Sequence, residues 1–98
     1  MIKHIIIWKL KEEIDDKIKR SFEIKESLEG LVGKIDGLIK MEINFNKLDS
    51  SSGDLLMLSE FENVEALKRY QKSKLHLDVA NGLVRPSVIQ RLSFDYEK

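Results

Sequence analysis

The chain has 98 residues, a length that suits one domain with a single hydrophobic core. Its 17 basic and 17 acidic residues cancel, so no long-range field attracts nucleic acid or an anionic membrane, and neither is predicted as a partner. The absence of cysteine excludes disulfides, thiolate metal sites and thiol nucleophiles.

Residues 1–11 are predicted to form a β-strand that is apolar on both faces. Ile5 and Ile7 alternate with lysines on one face. A strand with one face in water would be polar at these positions, so a second covering layer is expected. The apolar run is too short for a signal peptide or a membrane span, and we expect a cytoplasmic protein. The opposite face carries Ile2, His4, Ile6, Trp8 and Leu10.

A helix is predicted next. It begins at Asp15 or Asp16, whose carboxylates suit an N-terminus, and it is closed near Leu31 by Gly30 and Gly33. Its apolar residues cover about half of the circumference, which predicts a helix that lies on a sheet with its edges in water. They are Ile14, Ile18, Phe22, Ile24, Leu28, Leu31 and Val32.

Two more strands are predicted on either side of a polar connection, residues 49–53. Residues 38–46 alternate, with one apolar face, whereas residues 55–61 are apolar on both faces, so the need for two covering layers recurs. The apolar face of the first of these strands carries Ile39, Met41, Ile43 and Phe45.

The last third of the chain predicts an interrupted helical region and a final strand. Asn63 suits the N-cap of a helix that weakens near Ser73, and a further helical segment is expected to end around residues 81–82. Pro86 disfavours helical geometry in the residue before it, so the chain is expected to leave the helix there. Residues 88–96 alternate as a strand does.

These elements give the order βαββαβ, an α+β, ferredoxin-like fold in which both helices cover one face of a four-stranded antiparallel sheet. The whole chain, residues 1–98, then forms a single domain. The uncovered face would expose more apolar surface than a soluble monomer normally does. We therefore predict a homodimer, joined sheet-to-sheet into an α/β barrel.

The sequence resembles the stress-responsive A/B barrel (Dabb) family of dimeric α/β barrels from end to end. The resemblance rests on the opening residues 2–11, on Tyr70 followed six residues later by His76, and on the closing residues 94–97. The family usually carries a His-Pro pair between that tyrosine and that histidine, where this chain has a Ser-Lys pair. Most members have no established activity, and the resemblance implies none by itself.

The resemblance also implies candidate site residues. In a plant relative that is a polyketide cyclase, a histidine and a tyrosine at the positions of His76 and Tyr70 act on the substrate, and a histidine matching His4 lines the cavity. That cyclase has a further tyrosine on its first helix, which this chain lacks. Some plant members hold a cation through backbone carbonyls, for which the nearest equivalents are Val32, Ile35 and Leu38.

From the residues alone, His4, Tyr70 and His76 form the only acid–base set, because imidazole transfers protons near neutral pH. Tyr70 and His76 would lie about 120° apart on one continuous helix, so they converge only if the chain bends near Ser73 and Lys74. The alternative, which the residues alone favour, is that His4 is a core histidine and Tyr70 a packed ring with its hydroxyl in water.

Hydrophobic side chains between the helices and the sheet are predicted to line a ligand cavity. No metal-ligand spacing, phosphate-binding loop or nucleophile elbow is present, so no metal and no cofactor is predicted. Arg85 beside Pro86 is compatible with an anion contact, but a turn arginine is more often at the surface, and a surface position is expected. Residues 95–97 are expected to form a solvated strand end. The predicted lining residues are Ile6, Trp8, Phe22, Met57 and Phe61.

Two functions are compatible with these patterns. The first is a dimeric barrel that binds a small apolar ligand without turnover. The second is a cofactor-free enzyme that uses His76 and Tyr70, similar to a polyketide cyclase or, by looser fold analogy, to a monooxygenase. The missing His-Pro pair and the missing tyrosine on the first helix favour the first function.

Overall fold

A four-stranded antiparallel sheet carries all the helices on one face in the structure, a computed structural model that describes residues 1–98. Between the last full helix and the last strand the backbone stays helical, through a π-helical segment, Ala80–Val84, and one further turn, Arg85–Ser87. This is the predicted ferredoxin-like βαββαβ fold. In chain order the main elements are β1 (Ile2–Leu10), α1 (Lys17–Glu29), β2 (Leu38–Asn44), β3 (Leu55–Phe61), α2 (Val64–Lys72), α3 (Lys74–Val79) and β4 (Val88–Glu97).

The strand order across the sheet is β2-β3-β1-β4, so the first strand of the chain lies inside the sheet, between β3 and β4. Both pairings of β1 are antiparallel, and they place His4 opposite Ser59 on one side and opposite Asp95 on the other. The helix-side face of β1 is buried, as its alternation predicts. Its buried residues are Ile2, His4, Ile6, Trp8 and Leu10.

Short polar side chains begin the two longer helices. The Asp16 carboxylate accepts the backbone N–H of Lys19 at 3.0 Å, and the Asn63 side chain accepts that of Ala66 at 2.8 Å. Each bond satisfies one of the N–H groups that a helix start leaves without a partner. Both caps lie where the sequence predicts them.

The apolar stripe of α1 is narrower than its sequence predicts. Ile24 and Leu28 face the sheet together with Ser21, whereas Ile18 and Phe22 are at least half exposed. Phe22 lies on the flank of the helix, where its ring packs edge-on against Phe45 with centroids 5.9 Å apart. The seven-residue stripe predicted for this helix was therefore wrong at its edges, because a helix on a sheet buries only its central rows.

Two local predictions also need correction. The register of β2 against β3 shifts between Leu38 and Lys40, so Ile39 points away from the core that it was predicted to join. The helical region does not end at residues 81–82, and Arg85 keeps helical dihedral angles of φ −57° and ψ −42°. Pro86 is tolerated because it stands at the start of a new turn, where no N–H is required.

The sheet face opposite the helices, called the outer face below, is apolar and uncovered. Its β4 residues are exposed, and those of β3 are half-buried. No helix in the structure has the length and hydrophobicity needed to cross a membrane. The apolar members of the outer face are Ile5, Ile7, Leu56, Leu58, Leu92, Phe94 and Tyr96.

Candidate functional site

A cavity of about 370 Å³ lies between the helical layer and the sheet. Of the residues predicted to line it, Ile6, Trp8 and Met57 do so, and so do the three acid–base candidates. Phe22 and Phe61 do not, because Phe22 lies on the outer flank of α1 and Phe61 is sealed in the core. The remaining apolar lining comes from Leu28, Leu77, Ala80, Val84 and Val88.

His4 is fixed by an acidic partner. It is 2% exposed, and its Nδ1 lies within hydrogen-bonding distance of Asp95 Oδ1, directly across the β1–β4 pairing. The Ser59 hydroxyl donates to the backbone carbonyl of His4 at 2.8 Å, from the strand on the other side. A carboxylate beside Nδ1 favours the proton on that nitrogen. Asp95 therefore sets the orientation of the ring.

Tyr70 and His76 converge because the helix breaks between them. Ser73 has extended backbone angles, φ −65° and ψ 134°, which end α2 and start α3 in a new direction. The two rings consequently lie 4.1 Å apart between centroids, with 33° between their planes. The bend is at the position where the sequence requires one for these side chains to meet.

Tyr70 is held from behind by the core. Phe61 packs against it with ring centroids 5.0 Å apart, and the same phenylalanine lies 6.2 Å from His4. Burial raises the pKa of Tyr70 far above its usual value, and the nearby charge of Arg91 offsets only part of this. The hydroxyl is consequently a proton donor throughout the neutral range.

His76 is the less firmly held histidine. Its Nδ1 is buried and has no hydrogen-bond partner within the protein. Burial lowers its pKa, and the charges of His4, Arg85 and Arg91 act in the same direction, while the backbone of Gln71 offsets part of the effect. The imidazole is therefore neutral at pH 7 and can accept a proton or a hydrogen bond from a ligand.

Gln71 and two arginines complete the polar part of the lining, which contains no aspartate or glutamate. Arg91 projects from β4 opposite Trp8, and Arg85 projects from the turn before β4; both are exposed, as predicted for Arg85, and both also line the cavity. Asp95 is likewise exposed, as predicted for a solvated strand end, but it also contacts His4. The missed signal was the strand register, because pairing β1 with β4 places Asp95 beside His4 and Arg91 beside Trp8.

A second, larger hollow of about 510 Å³ lies under the β2–β3 connection, and it contains no histidine or tyrosine. No group of three or more His, Cys, Asp or Glu side chains is arranged to hold a metal ion. Among the carbonyls that the family resemblance offers to a cation, that of Ile35 already accepts the N–H of Leu38 at 3.2 Å. The Ile35 carbonyl is thus already engaged in a turn, and the three acid–base candidates lie in the first cavity.

The cavity thus combines a neutral imidazole, a protonated phenol and an imidazole oriented by a carboxylate, beside an apolar wall. An imidazole and a phenol whose rings lie side by side can accept and donate protons on one bound molecule. An apolar wall with a few polar groups is also the usual composition of a site that binds a small molecule without reaction. The geometry therefore supports binding directly, and catalysis only if a ligand reaches both rings.

Comparison with solved structures finds the same fold in other organisms. A dimeric protein of unknown function and ferredoxin-like fold from Bacteroides fragilis is 27% identical, with a TM-score of 0.88 over 99% of this chain and 95% of that one. A Dabb family protein from Mesorhizobium loti is 18% identical, with a TM-score of 0.80 over 99% and 95% of the two chains. A hydroxynitrile lyase from Passiflora edulis is 14% identical, with a TM-score of 0.80 over 97% and 90%.

The last two likenesses, at such low identity, show the shared fold alone. No curated protein sequence matches this chain. The sequence model described as the stress responsive A/B barrel domain (Dabb) matches residues 2–98. On this match over nearly its whole length, the chain belongs to the stress-responsive A/B barrel domain family.

Proposed function

We propose that the protein is a cytoplasmic homodimer that binds a small, largely apolar ligand in the cavity between its helices and its sheet, without converting it. The observation that carries the proposal is the composition of the cavity, in which nine of the 14 lining residues are hydrophobic. Its volume of about 370 Å³ falls in the lower range of small-molecule sites. A ligand of a few rings or a short chain fits this space.

Dimer formation through the outer face is the second part of the proposal. Seven apolar side chains lie together on that face with no covering layer. A patch of this kind on a soluble protein marks an interaction surface, and a two-fold symmetric contact covers it with a second copy of itself. The Bacteroides fragilis protein is described as dimeric, which supports the proposal of a dimer.

The way His76 is held favours binding without turnover. A catalytic base needs a fixed position, because a displacement of about 1 Å can lower a rate by about 100-fold. His76 has no partner at Nδ1, in contrast to His4, whose Nδ1 is held by Asp95. The ring that would act on a substrate thus lacks a carboxylate such as the one that orients His4.

The alternative is a cofactor-free acid–base enzyme, similar to a polyketide cyclase or to a monooxygenase. It is favoured by the contact of Tyr70 with His76, whose ring centroids are 4.1 Å apart, since a protonated phenol and a neutral imidazole form a donor and acceptor pair. In this reading His76 accepts a proton from the substrate and Tyr70 stabilises the developing oxyanion. The fold is compatible with it, because the Passiflora edulis lyase shares the fold.

A ligand screen separates the two. Phenolic and polyketide-like compounds are incubated with the wild-type protein. The Tm of each mixture is measured by thermal unfolding, and the compound is then recovered and its mass is determined by mass spectrometry. A true ligand at about 100 times its Kd adds about 2.7 kcal/mol to stability and raises Tm by several degrees. We expect this rise without any change in the mass of the compound.

Matched variants define where the compound binds. Ala80→Phe fills the cavity and should abolish the rise in Tm, whereas Phe22→Ala, outside the cavity, should keep it. A rise that survives Ala80→Phe would contradict the cavity as the binding site. Conversion that is lost in His76→Ala would establish the enzyme instead.

A further inference from the structure

Two guanidinium groups line the cavity without an acidic partner. Arg85 Nη1 donates only to the side chain of Asn81, at 2.7 Å, and neither Arg85 nor Arg91 takes part in an ion pair. Two carboxylates share the helix-side face of β4 with Arg91: that of Asp95 is already held by His4, and that of Glu97 lies six residues further along the strand, opposite Ile2. The cavity therefore has an uncompensated positive end beside its neutral imidazole.

Unpaired arginines next to an apolar cavity create a strong field for an anion, because low-dielectric walls screen charge poorly. The planar guanidinium matches the two oxygens of a carboxylate with parallel hydrogen bonds. We propose that Arg85 and Arg91 form an anion subsite, and that the ligand of the cavity is a small organic acid with one carboxylate on an apolar body. This inference rests on the proposed function and specifies the ligand class of the same site.

The placement of the arginines fits such a ligand. Both residues are exposed on one side and line the cavity on the other, so the carboxylate stays near water while the body enters the apolar space. That body would contact Ile6, Trp8 and Met57. A phosphate would satisfy the same guanidinium groups, but its second charge makes transfer to this apolar surrounding more costly, so a carboxylate is favoured.

The test compares three compounds that share an apolar body: phenylbutyrate, the neutral phenylbutanamide, and phenylpropyl phosphate. Binding is measured by calorimetry and by the fluorescence of Trp8, the single tryptophan of the chain and a lining residue of the cavity. The proteins are the wild type, Arg85→Gln, Arg91→Gln and the double variant. Arg69→Gln, an exposed arginine of α2 outside the cavity, is the control with the same loss of charge.

In the wild type, phenylbutyrate should bind about tenfold or more tightly than the amide, because hydrogen bonds to charged groups are strong. The preference should disappear in the double variant and persist in Arg69→Gln. Equal binding of acid and amide by the wild type would overturn the anion subsite and leave the proposed function intact. Tighter binding of the phosphate would overturn the assignment of a carboxylate, and failure of all three compounds would reject the proposed function together with the inference.

Discussion

The two faces of the same sheet differ in what covers them. Along β1, Ile6 points toward the helices and is 5% exposed, whereas its neighbour Ile7 points to the outer face and is 43% exposed. Both are isoleucines in one strand, so composition does not distinguish them. The difference teaches that alternate residues of this strand have separate surroundings: one set builds the core and the cavity, and the other forms the apolar outer face proposed above as the dimer surface.

The helical layer does not cover this face of the sheet evenly, and the cavity lies where that layer ends. Nearly every residue of β4 is exposed, and its helix-side face is polar, with Arg91 and Asp95. The helices pack most closely against β2 and β3, at the opposite side of the sheet from β4. Polar groups can therefore reach the cavity from β4 without the cost of complete burial.

Replacing Ile7 with lysine gives the largest expected effect on the outer face. Two-fold symmetry places two new charges in the sheet-to-sheet interface, each without a partner, so the dimer should not persist at micromolar concentration. Sedimentation of the variant against the wild type measures this. Ile18→Lys, an exposed position on α1, is the control and should remain a dimer. A wild-type monomer at the same concentration would show that this face has another role.

A pair of phenylalanines compares the two faces directly. Phe61 is 0% exposed behind the cavity, and Phe94 is 67% exposed on the outer face. Phe61→Ala should lower the free energy of unfolding by about 3–5 kcal/mol at any protein concentration, because it leaves a cavity in the core. Phe94→Ala should act mainly through dissociation, so its effect should grow on dilution. Chemical denaturation at two protein concentrations checks both, and a concentration-independent effect of Phe94→Ala would contradict the comparison.

Asp95→Ala should have a moderate effect. It leaves Nδ1 of the buried His4 without its acceptor, at a cost of about 1 kcal/mol, the low end for such a loss because Asp95 is partly exposed and water can replace it. Glu97→Ala, two residues further along the same strand face, is the control and should be near neutral. Urea unfolding measures the two, and equal effects would argue against a specific role for the His4–Asp95 contact.

The smallest expected effect is a pH dependence. Burial lowers the pKa of His76 in the folded protein, so the unfolded chain takes up that proton more readily. The stability that His76 contributes is fully present above about pH 6.5 and is lost as the pH falls through its lowered pKa. Below about pH 6.5, the free energy of unfolding of His76→Gln should therefore change less with pH than that of the wild type. Unfolding of both proteins across a pH series measures this difference. Identical profiles would mean that His76 is not buried in solution.

The sequence predicted the architecture because hydrophobic periodicity and helix caps are local signals. Strand alternation, Asp16 and Asn63 each act within a few residues, and each element they predict is present. The predictions that failed concern where a residue lies across the face of its helix or strand. Phe22 belongs to an apolar stripe by angle but lies at its edge, and Ile39 is displaced by a register shift that no local pattern encodes.

Part of the candidate site was also predictable from residue type and local helix geometry. His4, Tyr70 and His76 were identified from residue type, and the bend at Ser73 was identified as the condition for two of them to meet. Asp95 was missed because its partner is 91 positions away and only the pairing of β1 with β4 joins them. Whether these residues bind or catalyse stays a prediction.

The central position of β1 has a consequence for how the chain is made. Its two partners, β3 and β4, are synthesised in the middle and at the end of the described sequence, and contacts of such long separation form slowly. Until β4 has emerged from the ribosome, His4 lacks its carboxylate and one edge of β1 has no partner. An unpaired apolar edge in a partly made chain invites aggregation. Of the four strands, β1 thus precedes the others in the chain but is the last to gain both of its partners.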